Sequence, residues 1–478
     1  MKQIFNYIDG KMCLASNEGT LDVYEPGRGE VYARVPDSTD EDIDKAVLAA
    51  SNAFPSWAGT SVEERSEVML RIADLIDQNL EQLAEAESRD NGKPIWLARK
   101  VDIPRASANF RFFAKAITQY SSQSHEMNNA INYTLRHPLG VVACISPWNL
   151  PLYLFSWKVA PAIAAGNTVI GKPSEVTPMT AFMLAELCSE AGLPAGVLNI
   201  VHGRGELVGN AINHHKTIKA ISFTGSTRVG SEIARIAAPR FKKLSLEMGG
   251  KNPNIIFSDC DYDKMLATTI RSSFANQGQI CLCGSRILVE RPLYERFKKD
   301  FVKASESLVP GPPQREDSKI GAVVSKAHYD KILSYIELAR EEGGTLLCGG
   351  RPAQPKGYEQ GYYIAPTIIE GLGPECRTNR EEVFGPFVTI TPFDNEDEAL
   401  AMANGTDYGL SATLWTENLS RAHRMAQRIE AGIVWVNTWL LRDLRTPFGG
   451  VKHSGVGREG GFDALDFFTE AKNVCIAY

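Results

Sequence analysis

The spacing of apolar residues changes several times along this chain. Over the first 35 residues they come in short runs, at 6–12, 21–24 and 30–35, broken by Pro26-Gly27-Arg28-Gly29. Runs of that length between turn residues predict strands. From Asp37 the period becomes helical. Ser38-Thr39-Asp40-Glu41-Asp42 supplies a capping residue and first-turn acids, and opens a helix continuing through 46–54. Ser61-Val62-Glu63-Glu64-Arg65 opens a second, with Val68, Leu70, Ile72, Leu75 and Ile76 at helical spacing. Two more helices are expected over 80–90 and 103–120. Residues 121–138 are polar and then alternate at Ile131, Tyr133 and Leu135, which predicts an extended excursion outside any core.

Beyond Gly140 the pattern is of buried strands alternating with helices. Strands are expected at 140–145, 168–171, 197–201 and 220–223, with helices at 158–165, 177–191 and 205–212. That order argues a parallel, doubly wound sheet. After Gly250 the alternation restarts. Strands are expected at 254–257, 286–290, 388–393, 412–415 and 432–437, with helices at 262–274, 293–308, 325–342, 397–404 and 420–430. A proline-rich loop covers 309–317, and Gly and Pro mark turns near 348–366. A second α/β unit therefore follows the first, with no internal repeat.

Composition narrows the classes. At 478 residues the chain is too long for one ordinary core, so two or more domains are expected. A formal net charge of −6 argues against a basic face for nucleic acid or anionic lipid. The first ten residues turn polar before a signal-peptide core could form. The apolar stretch 141–171 is broken by Pro147, Asn149, Pro151, Lys158, Pro161 and Asn167, so no membrane span is expected there. Nine cysteines is an odd count, with spacings that suit neither zinc nor a disulfide framework. No metal site is expected, and the compartment is read as reducing, most simply the cytoplasm.

Three segments carry candidate chemistry. Phe274-Ala275-Asn276-Gln277-Gly278-Gln279-Ile280-Cys281 ends in a thiol. Leu246-Glu247-Met248-Gly249-Gly250-Lys251 holds a carboxylate among apolar neighbours, and Ser146-Pro147-Trp148-Asn149-Leu150 a carboxamide. Thiol, carboxylate and carboxamide suffice to attack a carbonyl, hold its oxyanion and activate water. Glu247 reads either as a base of raised pKa or as an exposed acid at an element's end. The other eight cysteines read as small buried hydrophobes. Gly225-Ser226-Thr227-Arg228-Val229-Gly230 follows a strand and precedes a helix, so it reads as a phosphate cradle or as an ordinary turn. Gly203-Arg204-Gly205 with Gly209 is a weaker candidate. Gly171-Lys172-Pro173-Ser174-Glu175 lies at the carboxyl end of a parallel strand, where ligands bind in open α/β sheets. It reads as a ribose site or as a solvated loop.

Taken together, these residues resemble the aldehyde dehydrogenase superfamily. Phe274-x-Asn276-x-Gly278-Gln279-x-Cys281 and the Glu247 segment upstream carry the likeness. So do Pro147-Trp148-Asn149, Lys172-Pro173-Ser174-Glu175, Phe223-Thr224-Gly225-Ser226, Glu381-Glu382-Val383-Phe384-Gly385-Pro386 and Pro447-Phe448-Gly449-Gly450-Val451-Lys452, all in the family's order over essentially the whole chain. Arg228, where many members have an acid, and His453 depart from the pattern. The resemblance implies a fold of two doubly wound α/β domains plus a small β oligomerisation element. It implies an NAD-binding domain in 1–120 and 139–249, a catalytic domain in 250–450, and oligomerisation segments at 121–138 and 465–478. Cys281 would be the nucleophile and Glu247 the base for hydrolytic water, with Asn149 and the Cys281 backbone N–H as oxyanion hole. NAD would be held by Ile145, Ser146, Trp148, Lys172, Glu175, Phe223, Gly225, Ser226, Glu382 and Phe384. The Glu175 carboxylate would disfavour a 2′-phosphate and so NADP. A homodimer or homotetramer is expected.

Two arginines bear on the substrate. Arg442 precedes the Phe448-Gly449-Gly450 turn, and Arg105 opens the helix holding Phe110 and Phe113. In the family both regions border the substrate tunnel, and a guanidinium there is a clamp for carboxylate. The pairing resembles the subgroup acting on 2-aminomuconate and 2-hydroxymuconate 6-semialdehydes. The competing reading pairs these arginines with Asp102 and Asp443 in a domain seam. Arg445 is a weaker candidate. Other specificities remain open: betaine aldehyde, a general aliphatic aldehyde or retinal. A non-enzymatic structural family member is the remote alternative.

Overall fold

The computed structural model describes residues 1–478. Five parallel strands, Val141–Ile145, Thr168–Lys172, Leu198–Ile200, Ala220–Thr224 and Lys243–Glu247, form the centre of an eight-stranded sheet. In chain order their spatial sequence is 3-2-1-4-5, with the antiparallel strands Asn6–Ile8, Lys11–Cys13 and Gly455–Val456 at the edges. Both faces are covered. Val142, Cys144, Val169 and Leu198 point into one core, and Val141, Ala143, Ile145, Ile170 and Ile221 into another. Period-two alternation with apolar residues on each side is what a doubly wound sheet demands.

A seven-stranded sheet repeats the logic. Its strands lie in the order Thr345–Cys348, Thr367–Glu370, Phe387–Phe393, Arg286–Glu290, Pro253–Ile256, Ser411–Trp415 and Ile433–Val436, parallel throughout except for Thr345–Cys348 at one edge. Ile287 and Val289 face one core, Ile255 and Leu288 the other. A further three-stranded antiparallel sheet pairs Ser124–Met127, Ala130–Pro138 and Thr469–Ala477. No helix is long and apolar enough to cross a membrane.

Several local expectations are corrected. The run 6–12 is a hairpin, not one strand: Asp9 and Gly10 both have positive φ, 51° and 73°, the geometry of a tight reversal. Residues 205–212 form a π turn at Gly205–Gly209 before a short helix Asn210–His214. Around 348–366 the turns enclose short strands, Pro352–Ala353 and Tyr363–Ile364. Lys243–Glu247 is a strand that the apolar pattern did not reveal.

Candidate active site

The carboxyl ends of Val141–Ile145 and Ala220–Thr224 are neighbours where the strand order reverses. Loops diverge there and leave a crevice, the usual ligand site in open α/β sheets. Ser146-Pro147-Trp148-Asn149 leaves one strand and Gly225-Ser226 the other. Ser226 caps the helix Thr227–Ala237 by accepting from the Val229 N–H at 3.4 Å, and that helix N-terminus faces the crevice mouth.

Cys281 arrives from the second sheet. After helix Tyr262–Phe274, three successive residues take positive φ: Asn276 50°, Gln277 57° and Gly278 70°. A Cβ on Gly278 would meet the Gly385 carbonyl oxygen at 2.0 Å, so glycine is required. Side chains hold this coil. Gln277 Nε2 donates to the Ala322 carbonyl at 2.9 Å, and Gln279 Oε1 accepts from the Val324 N–H at 3.0 Å. Asn252 Nδ2 donates to the carbonyls of Cys281 and Cys283, at 2.7 and 2.9 Å. Asn149 Nδ2 crosses from the other sheet to donate to the Gln279 carbonyl at 2.9 Å. The Cys281 backbone N–H donates to no backbone carbonyl. Sequence reasoning named thiol and carboxamide separately, and the structure brings them together.

Glu247 ends its strand 2 % exposed, with both carboxylate oxygens buried and lacking hydrogen-bond partners. A Cβ on Gly449 would lie 2.6 Å from its Oε1. Burial first, then the negative charge of Glu459, push its pKa well above the ordinary carboxylate range; Lys158 and Arg458 oppose this. Glu459 is itself tied to the buried Lys158 and accepts from Ser222 Oγ at 3.1 Å. Burial, then Glu382 and Glu247, push the Cys281 thiol up, with Arg442 opposing.

The crevice residues fit a dinucleotide. Ser146 Oγ and Thr224 Oγ1 are buried without partners. A Cβ on Gly225 would meet the Phe223 ring at 2.4 Å, and one on Gly249 would meet Glu382 Oε2 at 2.1 Å. Lys172 Nζ donates to Glu175 Oε2 at 2.9 Å. Burial opposes ionisation of Glu175, but Lys172 and the backbone N–H groups of Glu175 and Gly205 together outweigh it and the pKa falls. Glu382 Oε1 accepts from the Gly250 N–H at 3.0 Å. Phe384, at φ 64°, sets its ring edge-on to Trp148 at 5.3 Å, and Ile145 ends its strand packed in the core.

The two arginines are free of carboxylates. Asp102 pairs with Lys93, and Asp443 with Arg445, whose side chain is 79 % exposed. Arg105 Nε donates to Asn109 Oδ1 at 3.0 Å, while its buried Nη2 has no partner. Its guanidinium lies 5.2 Å from the centroids of both Tyr153 and Trp157. Arg442 lies 4.0 Å from the Phe448 ring and 5.5 Å from Trp157, and donates to the Tyr153 hydroxyl at 3.2 Å. Phe448 belongs to the apolar cluster that packs against Cys281.

Sequence reasoning missed Tyr153, Trp157, Lys158 and Glu459. A signal existed for one: Lys158 is a lone charge in Pro151–Ala164, a helix buried along its whole length. Such a charge needs a buried partner.

A thiol, a cross-sheet carboxamide, a partnerless buried glutamate and a crevice at the sheet's switch point are the groups that oxidation of a carbonyl compound by a dinucleotide requires. The aldehyde dehydrogenase family model matches residues 14–474. The 2-aminomuconic semialdehyde dehydrogenase of Bos taurus is 50% identical, over 99% of this chain and 98% of its own. The 2-hydroxymuconic semialdehyde dehydrogenase of Pseudomonas sp. strain CF600 is 47% identical over 100% of both. Among solved structures, an NAD+ complex of aldehyde dehydrogenase from Bacillus cereus matches with TM-score 0.97 at 39% identity, covering 100% of this chain and 97% of that one. The chain belongs to the aldehyde dehydrogenase family. It is an NAD-dependent enzyme that oxidises aldehydes.

Proposed function

We propose that this chain oxidises a short unsaturated semialdehyde bearing a carboxylate, of the 2-aminomuconate or 2-hydroxymuconate 6-semialdehyde type. The observation that carries this is the pair Arg105 and Arg442, neither with a carboxylate partner, gathered over Tyr153, Trp157 and Phe448. Two guanidiniums in an aromatic pocket attract an anion and repel a quaternary ammonium, which disfavours betaine aldehyde. The relatives' names point the same way.

The mechanism follows from the residues. Cys281, as thiolate, bonds to the aldehyde carbon, and the carbonyl π pair moves to oxygen. That oxyanion takes hydrogen bonds from the Asn149 carboxamide and the Cys281 N–H; losing one such donor typically costs about 3 kcal/mol of barrier. NAD, when bound, supplies the acceptor for the hydride that this carbon must lose to become a thioester. Lys172 and Glu175 would hold the adenosine ribose, Ser226 and Gly225 the pyrophosphate, and Glu382 and Phe384 the nicotinamide end. Arg204 pairs with Asp37 and Lys172 with Glu175, so neither cation is free for a 2′-phosphate. Glu247 then takes a proton from water as its oxygen attacks the thioester. The acid leaves and the thiolate returns.

The domain division belongs to this reading: cofactor on residues 1–120 and 139–249, chemistry on 250–450, assembly through 121–138 and 465–478. Exposed Ile131, Leu135 and Ile476 on the three-stranded sheet support a homodimer or homotetramer. Nine unpaired cysteines support a reducing compartment, the cytoplasm.

The test compares kcat/KM for glutarate semialdehyde and for pentanal, in wild type and in Arg442→Ala. The wild type should prefer the acid, and the variant should lose that preference by about tenfold or more, as for a lost charge-assisted bond. An unchanged preference removes the clamp.

A further inference from the structure

Lys93 is fully buried between two carboxylates that are also fully buried. Its ammonium contacts Asp102 and lies 3.7 Å from Glu87. A third contact reaches the active site: Nζ donates to the Asn149 backbone carbonyl at 3.2 Å. The same carbonyl accepts from Asn276 Nδ2 at 2.9 Å and from Asn91 Nδ2 at 3.4 Å. Three side-chain donors therefore converge on the one peptide oxygen of the residue whose carboxamide crosses to the Cys281 loop. Asn91 and Lys93 are delivered there by Gly92, at φ 86°, where a Cβ would meet the Ala322 carbonyl oxygen at 2.6 Å.

Asp102 looks the other way. It ends the π turn Ala98–Asp102, and the helix Ile103–Ile117 that carries Arg105 begins at the next residue. Wide turns of this kind recur at functional sites because they re-aim the helix that follows. Lys93 is thus the one buried cation touching both the turn before the arginine and the peptide bearing the oxyanion donor.

We propose that Lys93 is a positioning residue, acting through the Asn149 carbonyl to hold the oxyanion carboxamide and through Asp102 to hold the Arg105 turn. This rests on Asn149 being an oxyanion donor. A buried ammonium on the carbonyl restrains the peptide, and the side chain follows; misplacing a donor by 1 Å costs about 100-fold. Asp102, with Glu87 at 3.7 Å, offsets the charge of the ammonium in a dry interior.

The experiment is a mutant cycle on the full-length enzyme with pentanal: Lys93→Met/Asp102→Asn, Asn149→Ala, and all three together. The paired substitution removes opposite charges at once, which guards the fold. Acting through Asn149, it should lower kcat/KM about tenfold or more, with NAD affinity by fluorescence titration unchanged. In the Asn149→Ala background it should then cost less than about twofold, because residues acting as a unit are not additive. Additive losses beside a disabled Asn149→Ala overturn the Lys93 link alone. An Asn149→Ala enzyme of undiminished kcat/KM overturns the oxyanion role and this inference with it. Should the paired variant not fold, Asp102→Asn alone takes its place in the cycle, and its losses must likewise vanish when Asn149 is alanine.

Discussion

At the residue scale the proposed mechanism asks two groups to work deprotonated, although their surroundings favour the proton. Burial raises both the Cys281 thiol and Glu247. For each, the reactive form gains as pH rises, so kcat/KM and the deacylation rate should both climb from neutral into alkaline solution. Cys281→Ser should abolish turnover with the fold intact, because a hydroxyl cannot ionise there; circular dichroism and NADH formation check this pair of outcomes. Glu459 offers a sharper test. Its negative charge raises Glu247, while Lys158 lowers it. Glu459→Gln removes the first influence and leaves the second without its counter-ion. Removing that raising influence lowers the Glu247 pKa, so the pH profile of deacylation should move toward acid. The buried lysine left alone should cost roughly 3 kcal/mol of stability. A profile that stays put or moves alkaline would show that Glu459 does not act on Glu247.

At the element scale, the coil before Cys281 shows how backbone conformation places a side chain. Asn276, Gln277 and Gly278 hold positive φ in succession, where strain of about 1–3 kcal/mol per non-glycine residue must be offset by fixed contacts. Gly278→Ala adds a Cβ at 2.0 Å from the Gly385 carbonyl oxygen. It should lower the urea midpoint and slow thiol alkylation and turnover alike; a variant with wild-type values of both would mean that the coil yields freely. Legibility from sequence divides along similar lines. The buried strands and the motif residues could be read because alternation and chemical identity are local. The strand Lys243–Glu247 could not, since its Lys243 and Leu244 are only partly covered and Ser245 is buried. The hairpin at 6–13 was hidden because Asp9-Gly10 sits within an otherwise continuous run. Lys93 and Glu459 were hidden for another reason, and so was the partner of the lone charge Lys158: their importance lies in contacts 9 to 301 positions apart. The arginines sit between these cases. Resemblance named them, but only the pairing of Asp102 with Lys93 and of Asp443 with Arg445 left them available.

At the scale of the whole molecule, the small sheet poses a solvation problem that a single chain does not solve. Ala130–Pro138 and Thr469–Ala477 pair over nine residues in register, with Ile131 opposite Ile476, Tyr133 opposite Val474 and Leu135 opposite Lys472. Opposed residues share a face, so Ile131, Tyr133, Leu135, Val474 and Ile476 form one apolar stripe. Ile131, Leu135 and Ile476 are 37 %, 38 % and 49 % exposed. Such a stripe marks an interaction surface or a liability. A second copy laid across it would bury the same residues on both sides, as two-fold symmetry requires. The sheet also reaches the core that supports catalysis, because the Phe468 carbonyl accepts from the buried Asn167 Nδ2 at 2.9 Å. Assembly should therefore help hold the NAD-side helices. Ile131→Glu with Ile476→Glu places like charges opposite one another and removes the apolar stripe. On size-exclusion chromatography with light scattering, wild type should run as a dimer or tetramer and the variant as a monomer. The monomer should keep its strands and lose thermal stability before it loses the Cys281 site, since no active-site residue lies on the sheet. An assembly unchanged in mass would place the interface elsewhere on the molecule.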